Sequence, residues 1–295
     1  MAVGAICNTA IYQVDTIEPA PAKVMAKQRC TVVDGMAISA ACAFQKLGGQ
    51  SRVWARVGDD PEAETMRQAL FREGVDASGL HTVPGAHSSH ATVIVDALGQ
   101  RLVVPFHDPQ VDPSPDWLPL ADLSKIDMLH CDVRWPQGAY AALKAARALG
   151  VHTMVDGDVA PHEVLELLMP MADYAVFSDA GLRAYTGVHD VPEALRLVAA
   201  RHSRHVGASC GEEGYFWVED EQILHAPAIQ VDVVDTLAAG DVFHGALALA
   251  ILEGQPMTQA ARFACVAASL KCTHFGGRMG CPSRDQIEHA LRLIP

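Results

Sequence analysis

The sequence predicts an α/β fold: a doubly wound, mainly parallel sheet flanked by helices, with a small second β-sheet. Three observations carry this. From Ile126 onward, apolar runs of strand length alternate with helical patterns, with strands near 126–131, 151–156, 173–178 and 204–209 and helices near 137–149, 162–169, 180–186 and 191–202. Such alternation implies βαβ crossovers and parallel pairing. At 295 residues, half of them apolar, the chain can bury a full core. Extra hairpins fall near the start, where a parallel sheet cannot absorb them.

Taken in order, Ala2–Val14 reads as one buried first strand running toward the surface, broken by Pro19, Pro21 and Ala22. Val24–Val33 reads as a short strand or pair of strands outside the main core. Met36–Leu47 places Ala37, Ala40, Ala41, Phe44 and Leu47 at helical spacing, and Gly48-Gly49 ends it. Ser51–Val57 is a strand, after which Asp60 as N-cap and Pro61 open a helix through Phe71. Thr92–Asp96 and Arg101–Phe106 flank Ala97–Gln100 as a hairpin, and the Pro/Asp-rich His107–Pro119 is loop. A second hairpin, Tyr215–Glu219 with Gln222–His225, precedes a strand over 229–234. Helices near 257–273 and 283–294 finish the chain, the last with Ser283 and Gln286 as a capping box. There is no repeat or linker, so 1–295 is expected to be one domain, with residues about 10–34 and 88–106 forming the separate small sheet.

Composition narrows the partners. A formal net charge of −13 argues against nucleic acid, which is bound through a surplus of Lys and Arg. No apolar run reaches the roughly 18 residues of a membrane span. The N-terminus has no basic segment and reads as a strand, so a cytoplasmic setting is expected. Eight scattered cysteines and fourteen dispersed histidines show no metal-ligand spacing, and the thiols are expected reduced. No structural metal is expected.

The chemistry centres on Val231–Gly254. A β-branched run leads to the small residues Ala238, Ala239 and Gly240, then to an Ala/Leu-rich helix from Asp241 to Gly254. A strand, small-residue turn and helix start aim free N–H groups and the positive helix end at one spot, where an anion can sit. A carboxylate there, Asp241, can take a proton from a hydroxyl while the amides stabilise a transferring phosphoryl group. Asp is also a favoured cap, so the local pattern leaves capping and catalysis both open.

Asp235-Thr-Leu-Ala-Ala-Gly-Asp241 resembles the Asp-Thr-x-Gly-Ala-Gly-Asp signature of the PfkB/ribokinase family of carbohydrate kinases. The resemblance extends over nearly the whole chain, and it implies a ribokinase-like fold, ATP and Mg²⁺ as cofactors, a small-molecule sugar substrate, a β-sheet lid and a homodimer. It makes Asp241 the catalytic base and Ala238, Ala239 and Gly240 the anion hole. Thr236, Gly211, Gly214, Gly276 and Gly277 fall on the nucleotide side. Within the family, Cys131–Trp135, Val155–Asp158, Phe177–Leu182 and Gly240–Leu247 are similar to sulfofructose kinases, which act on an anion-tailed ketose. That likeness places Arg134 and Lys23 near the anionic end of the sugar, where a planar guanidinium and a point charge suit a tetrahedral anion.

The sugar side departs from the family pattern. Its early aspartate falls at about Thr9, its Gly-Gly pair at Val33-Asp34 with only Gly35 kept, and an asparagine at about Pro105. Asp34 can replace the lost hydroxyl acceptor or serve a turn. The first anion-hole glycine is Ala238, and the Asn-x-x-Glu linked to Mg²⁺ is Ser178-x-x-Gly181. The expectation is therefore a sugar kinase of altered substrate choice. The alternative is a non-catalytic nucleotide- or sugar-binding regulatory protein on the same fold. A dinucleotide-dependent oxidoreductase lacks its G-x-G-x-x-G after the first strand.

Overall fold

The computed structural model describes residues 1–17, 23–202 and 204–293. The expected break at Pro19, Pro21 and Ala22 lies outside them. In chain order the strands are β1 (Ala2–Val3), β2 (Cys7–Gln13), β3 (Gln28–Asp34), β4 (Arg52–Val57), β5 (Asp76–Thr82), β6 (His90–Val95), β7 (Arg101–Phe106), β8 (Met128–Cys131), β9 (His152–Gly157), β10 (Tyr174–Ser178), β11 (His205–Ser209), β12 (Tyr215–Glu219) and β13 (Gln222–Ala226). The helices are α1 (Met36–Lys46), α2 (Pro61–Arg72), α3 (Pro136–Ala148), α4 (His162–Leu168), α5 (Asp179–Thr186), α6 (Val191–Ala199), α7 (Ala239–Leu252), α8 (Met257–Lys271) and α9 (Arg284–Leu293).

Nine strands form one sheet in the order β13-β12-β11-β10-β9-β8-β1-β4-β5. It is parallel from β11 to β5, and β12 and β13 add antiparallel at one edge. Period-2 alternation splits the buried strands between two cores. Leu129, Cys131, Val155 and Phe177 face α3 and α4, while Met128, Met154 and Val176 face α7 and α8. Helix α7 is apolar on nearly every side because it lies between the sheet, α1 and α8. No helix among the described residues is long and apolar enough to cross a membrane.

The second sheet has the order β3-β2-β6-β7, with β2 parallel to β6. It packs Ile11, Val32, Val93 and Val95 against Leu237 and Phe275, which sit on loops at the C-terminal edge of the large sheet. The hairpin at Ala97–Gln100 forms as expected. Asp96 accepts the amides of Leu98 and Gln100, each at 2.9 Å, and Gly99 adopts φ 75°.

Two expectations are corrected and one strand is added. The first strand is two: Ala2–Val3 joins the large sheet and Cys7–Gln13 the small one. The break falls at Gly4 because Asp132 presses there, and a Cβ on Gly4 would lie 2.1 Å from its carboxylate. Residues 229–234 are not a strand. Their backbone runs against α8 instead, with the Val234 and Asp235 amides donating to Cys272 O at 2.8 and 3.1 Å. Strand β5 was not expected, since Asp-Ala-Ser-Gly-Leu-His-Thr has little β propensity. It forms as an edge because Gly79 lets it approach Trp54, whose ring would lie 2.2 Å from a Cβ there.

Candidate active site

Helix α7 starts where the sequence changes character. Its N-cap is Ala238, in the left-handed region at φ 62°, a conformation that costs a non-glycine residue about 1 kcal/mol. That turn sets Ala239 and Gly240 as the first helical residues and Asp241 in the first turn, so Asp241 is not the N-cap residue. A Cβ built on Gly240 meets nothing within 4 Å, so open space borders that residue, while the Ala239 amide donates to Thr236 O at 3.3 Å.

Asp241 is half-buried, and its carboxyl is pushed well above the usual carboxylate range. Desolvation is the first cause, followed by the charges of Asp156, Asp34, Asp132 and Asp158. These acids come from separate elements: Asp34 ends β3, Asp132 follows β8, and Asp156 and Asp158 lie at the end of β9. Asp132 is fully buried and accepts the Ala5, Ala37 and Arg134 amides at 2.9, 3.1 and 2.8 Å. The cluster marks the C-terminal edge of the parallel strands, where α/β sheets bind ligands.

The loop before α7 is clamped by Asp235, which is completely buried. Its carboxylate accepts the amides of Leu237 (2.8 Å), Gly276 (3.0 Å) and Gly277 (2.8 Å) and lies 3.7 Å from the Nζ of Lys271, also completely buried. Lys271 donates in addition to the Asp235 carbonyl. The Gly276 and Gly277 amides are thus engaged by Asp235. Thr236 faces the small sheet: its hydroxyl donates to Gly99 O at 3.3 Å, and its carbonyl accepts from Arg101 at 3.2 Å. The hairpin tip therefore rests on the helix start.

On the other flank, Gly211 and Gly214 shape the turn after β11, both at positive φ, and Gly211 faces open space. Ser178 caps α5 through the Gly181 amide (3.0 Å) and donates to Asp158 (3.0 Å). No side chain fits at residue 181, because a Cβ there would sit 1.8 Å from Gly157 O. Beside Ser178, Asp179 keeps one buried carboxylate oxygen without a hydrogen-bond partner among the described residues.

On the sugar side, Thr9 is buried on β2 with its hydroxyl 3.2 Å from the Cys7 sulfur. Burial, then Asp34, and more weakly Asp241, push that thiol up to about 12, which sets Cys7 and Thr9 beside the acids. Asp34 is buried and accepts the Ser39 hydroxyl. Gly35, at φ 121°, lets α1 start against the Ala5 carbonyl, 2.2 Å from where a Cβ would stand. Arg134 donates to Asp158 (2.7 Å) and Val159 O (2.8 Å), whereas Lys23 is exposed. Pro105 lies on β7, exposed.

Sequence alone assigns no role to Asp132, Asp156, Asp158 or Lys271. The first three carried a signal, as carboxylates at the ends of consecutive predicted strands. Lys271 carried none, since a lysine closing a helix ordinarily reads as solvated.

The chain matches the sequence profile described as pfkB family carbohydrate kinase over residues 1–284. A solved protein of Agrobacterium tumefaciens, assigned as a ribokinase, is 39% identical over 99% of this chain and 96% of its own, with a TM-score of 0.96. A deoxyribokinase of Salmonella typhi is 25% identical over 88% of this chain and 87% of its own length. A fructokinase of Vibrio alginolyticus is 27% identical over 88% and 91%.

Proposed function

Because this chain belongs to the pfkB family of carbohydrate kinases, we propose that it transfers the γ-phosphoryl group of ATP to a hydroxyl of a sugar placed against Asp241. The observation carrying this is the junction of a helix start open to an anion with a desolvated carboxylate in its first turn. A base needs a pKa near working pH, and burial among acids moves Asp241 that way. The open backbone at Gly240 and Gly211 fits a triphosphate, and the free oxygen of Asp179 fits Mg²⁺, directly or through water. ATP supplies the phosphoryl group, and Mg²⁺ offsets its charge. Ala238, Ala239 and Gly240 hold the anion, Asp241 takes the proton, and the small sheet excludes water as a lid.

The substrate favoured is an uncharged sugar. The site is lined with carboxylates, and Arg134 is neutralised by Asp158 at 2.7 Å. A second reading, an anion-tailed ketose such as sulfofructose, is favoured by the position of Arg134, whose charge acts on both Asp132 and Asp156. It requires the sugar's anion to displace Asp158, with Lys23 as a further cation. The non-catalytic reading has no feature of the site in its favour. A homodimer is included: β7 is an edge strand exposed along its whole length, with Leu102, Val103, Val104 and Phe106 uncovered. Eight free cysteines support a cytoplasmic setting.

The test is ADP release with Mg-ATP across neutral pentoses and hexoses and their sulfonate- or phosphate-tailed counterparts, for wild type and Arg134→Met. Neutral sugars should turn over, with the variant's KM within about threefold of wild type. Turnover confined to tailed sugars, with KM raised on the order of 100-fold in Arg134→Met, establishes the second reading instead. No turnover on any sugar, with ATP still bound, would sink both.

A further inference from the structure

Beneath the first turn of α7, three buried side chains converge: His130 from β8, Asp156 from β9 and His244 from α7. Strand register explains why. His130 pairs with Met154, so Asp156, two residues on, projects from the same face toward α7. One ligand-capable atom of each lies within 4.8 Å of the others. Both ring nitrogens of His130 are buried without any hydrogen-bond partner among the described residues, at 6% exposure. A buried imidazole with neither nitrogen satisfied carries a desolvation cost that calls for a water or an ion. His244 is held at both nitrogens: Nδ1 lies 2.9 Å from the Gly240 carbonyl and 3.5 Å from an Asp156 oxygen. Its Nε2 lies 3.4 Å from the Val176 carbonyl, a backbone partner of the kind that fixes a ligating histidine, so ligation through the Nδ1 that faces Asp156 exchanges the Gly240 bond for the ion.

We propose that His130, Asp156 and His244 form a binding site for a divalent transition-metal ion of the zinc class. Two imidazoles and one carboxylate suit such an ion and disfavour Mg²⁺, which prefers oxygen ligands. Tetrahedral bonds of about 2.0–2.1 Å put ligand atoms about 3.3 Å apart, so the set must close slightly. His130 can rotate to do this because no hydrogen bond restrains it. The surrounding charge favours a cation, since Asp158 and Asp132 act on Asp156, and Asp156 in turn acts on Asp241. An entry path exists. A cavity of about 510 Å³ runs from Met1, Arg52, Asp76 and Asp127 to His130 and His244. Its mouth is at the N-terminal ends of the strands, opposite the proposed sugar and nucleotide positions, so an ion enters by a separate route. The bound ion ties the first turn of α7 to β8 and β9.

Chelator-stripped protein titrated with Zn²⁺ in a calorimeter should take up one equivalent, undisturbed by excess Mg²⁺, and Co²⁺ should give the visible bands of a tetrahedral site. His130→Gln should weaken binding by about 100-fold or more and abolish those bands. Absence of stoichiometric uptake overturns the proposal, as does equal affinity in His130→Gln, which would mean capture by surface histidines. Should that variant fail to fold, anomalous diffraction at the zinc edge from wild-type crystals decides: a peak among the three side chains supports the site, and its absence there refutes it.

Discussion

A single carboxylate shows how position changes chemistry. Asp241 reads in sequence as a capping residue or a base; the structure gives the cap to Ala238 and leaves Asp241 desolvated among four acids. Its raised pKa has two consequences. Its ionised fraction, and hence kcat, rises with pH through that raised value and falls below it. In the ligand-free protein, ionising Asp241 costs more folded than unfolded, so stability is lost as pH climbs from the ordinary carboxylate range through the folded-state value. Asp241→Asn removes both effects. Turnover should fall by about 10²–10⁴-fold, while the variant's melting temperature should exceed that of wild type above this window and approach it at acid pH. Near-wild-type turnover would end the assignment of Asp241 as base.

At the scale of elements, the helix start is held in place by its neighbours. Asp235 joins the loop before α7 to the 276–277 turn through three amides and neutralises Lys271 inside the protein. Burial lowers the Lys271 pKa, and the Asp235 charge opposes that effect. Removing one partner strands the other, at a cost of about 3–5 kcal/mol. Urea unfolding of Asp235→Asn and of Lys271→Met should each show a loss of that order. The double variant should lose clearly less than the sum, because neither charge is then left alone. Strict additivity would mean the two groups are not coupled. The sequence marked Asp235 through its motif but gave no sign of its partner, because the pairing spans 36 residues and depends on how α8 packs.

For the whole molecule, the second sheet raises the question of assembly. All six residues of β7 are exposed, and an uncovered apolar edge invites pairing with another copy. Light scattering should report a dimer for wild type. Val104→Lys, which places a charge on the exposed strand, should shift the protein toward monomer without lowering the melting temperature of the fold by more than a few degrees. A dimer that persists in this variant places the interface elsewhere.

Much of the fold was legible because its cause is local. The alternation of strand and helix from Ile126, the hairpin at Ala97–Gln100, the Asp60 cap and the Ser283–Gln286 box each follow from residues near in sequence. The small residues before Asp241 likewise marked the turn into a helix start. Other features needed the third dimension. The first strand divides at Gly4 because Asp132, 128 positions away, occupies the space beside it. Residues 229–234 have strand composition, yet their amides find partners at the end of α8. Asp132, Asp156 and Asp158 gather only when parallel strands end together, Asp34 joins them only from the small sheet, and His130 meets His244 only when α7 lies across β8. Local sequence sets backbone preference and which face is apolar; long-range packing decides which charges share a low-dielectric space, and that sharing sets the chemistry of the site.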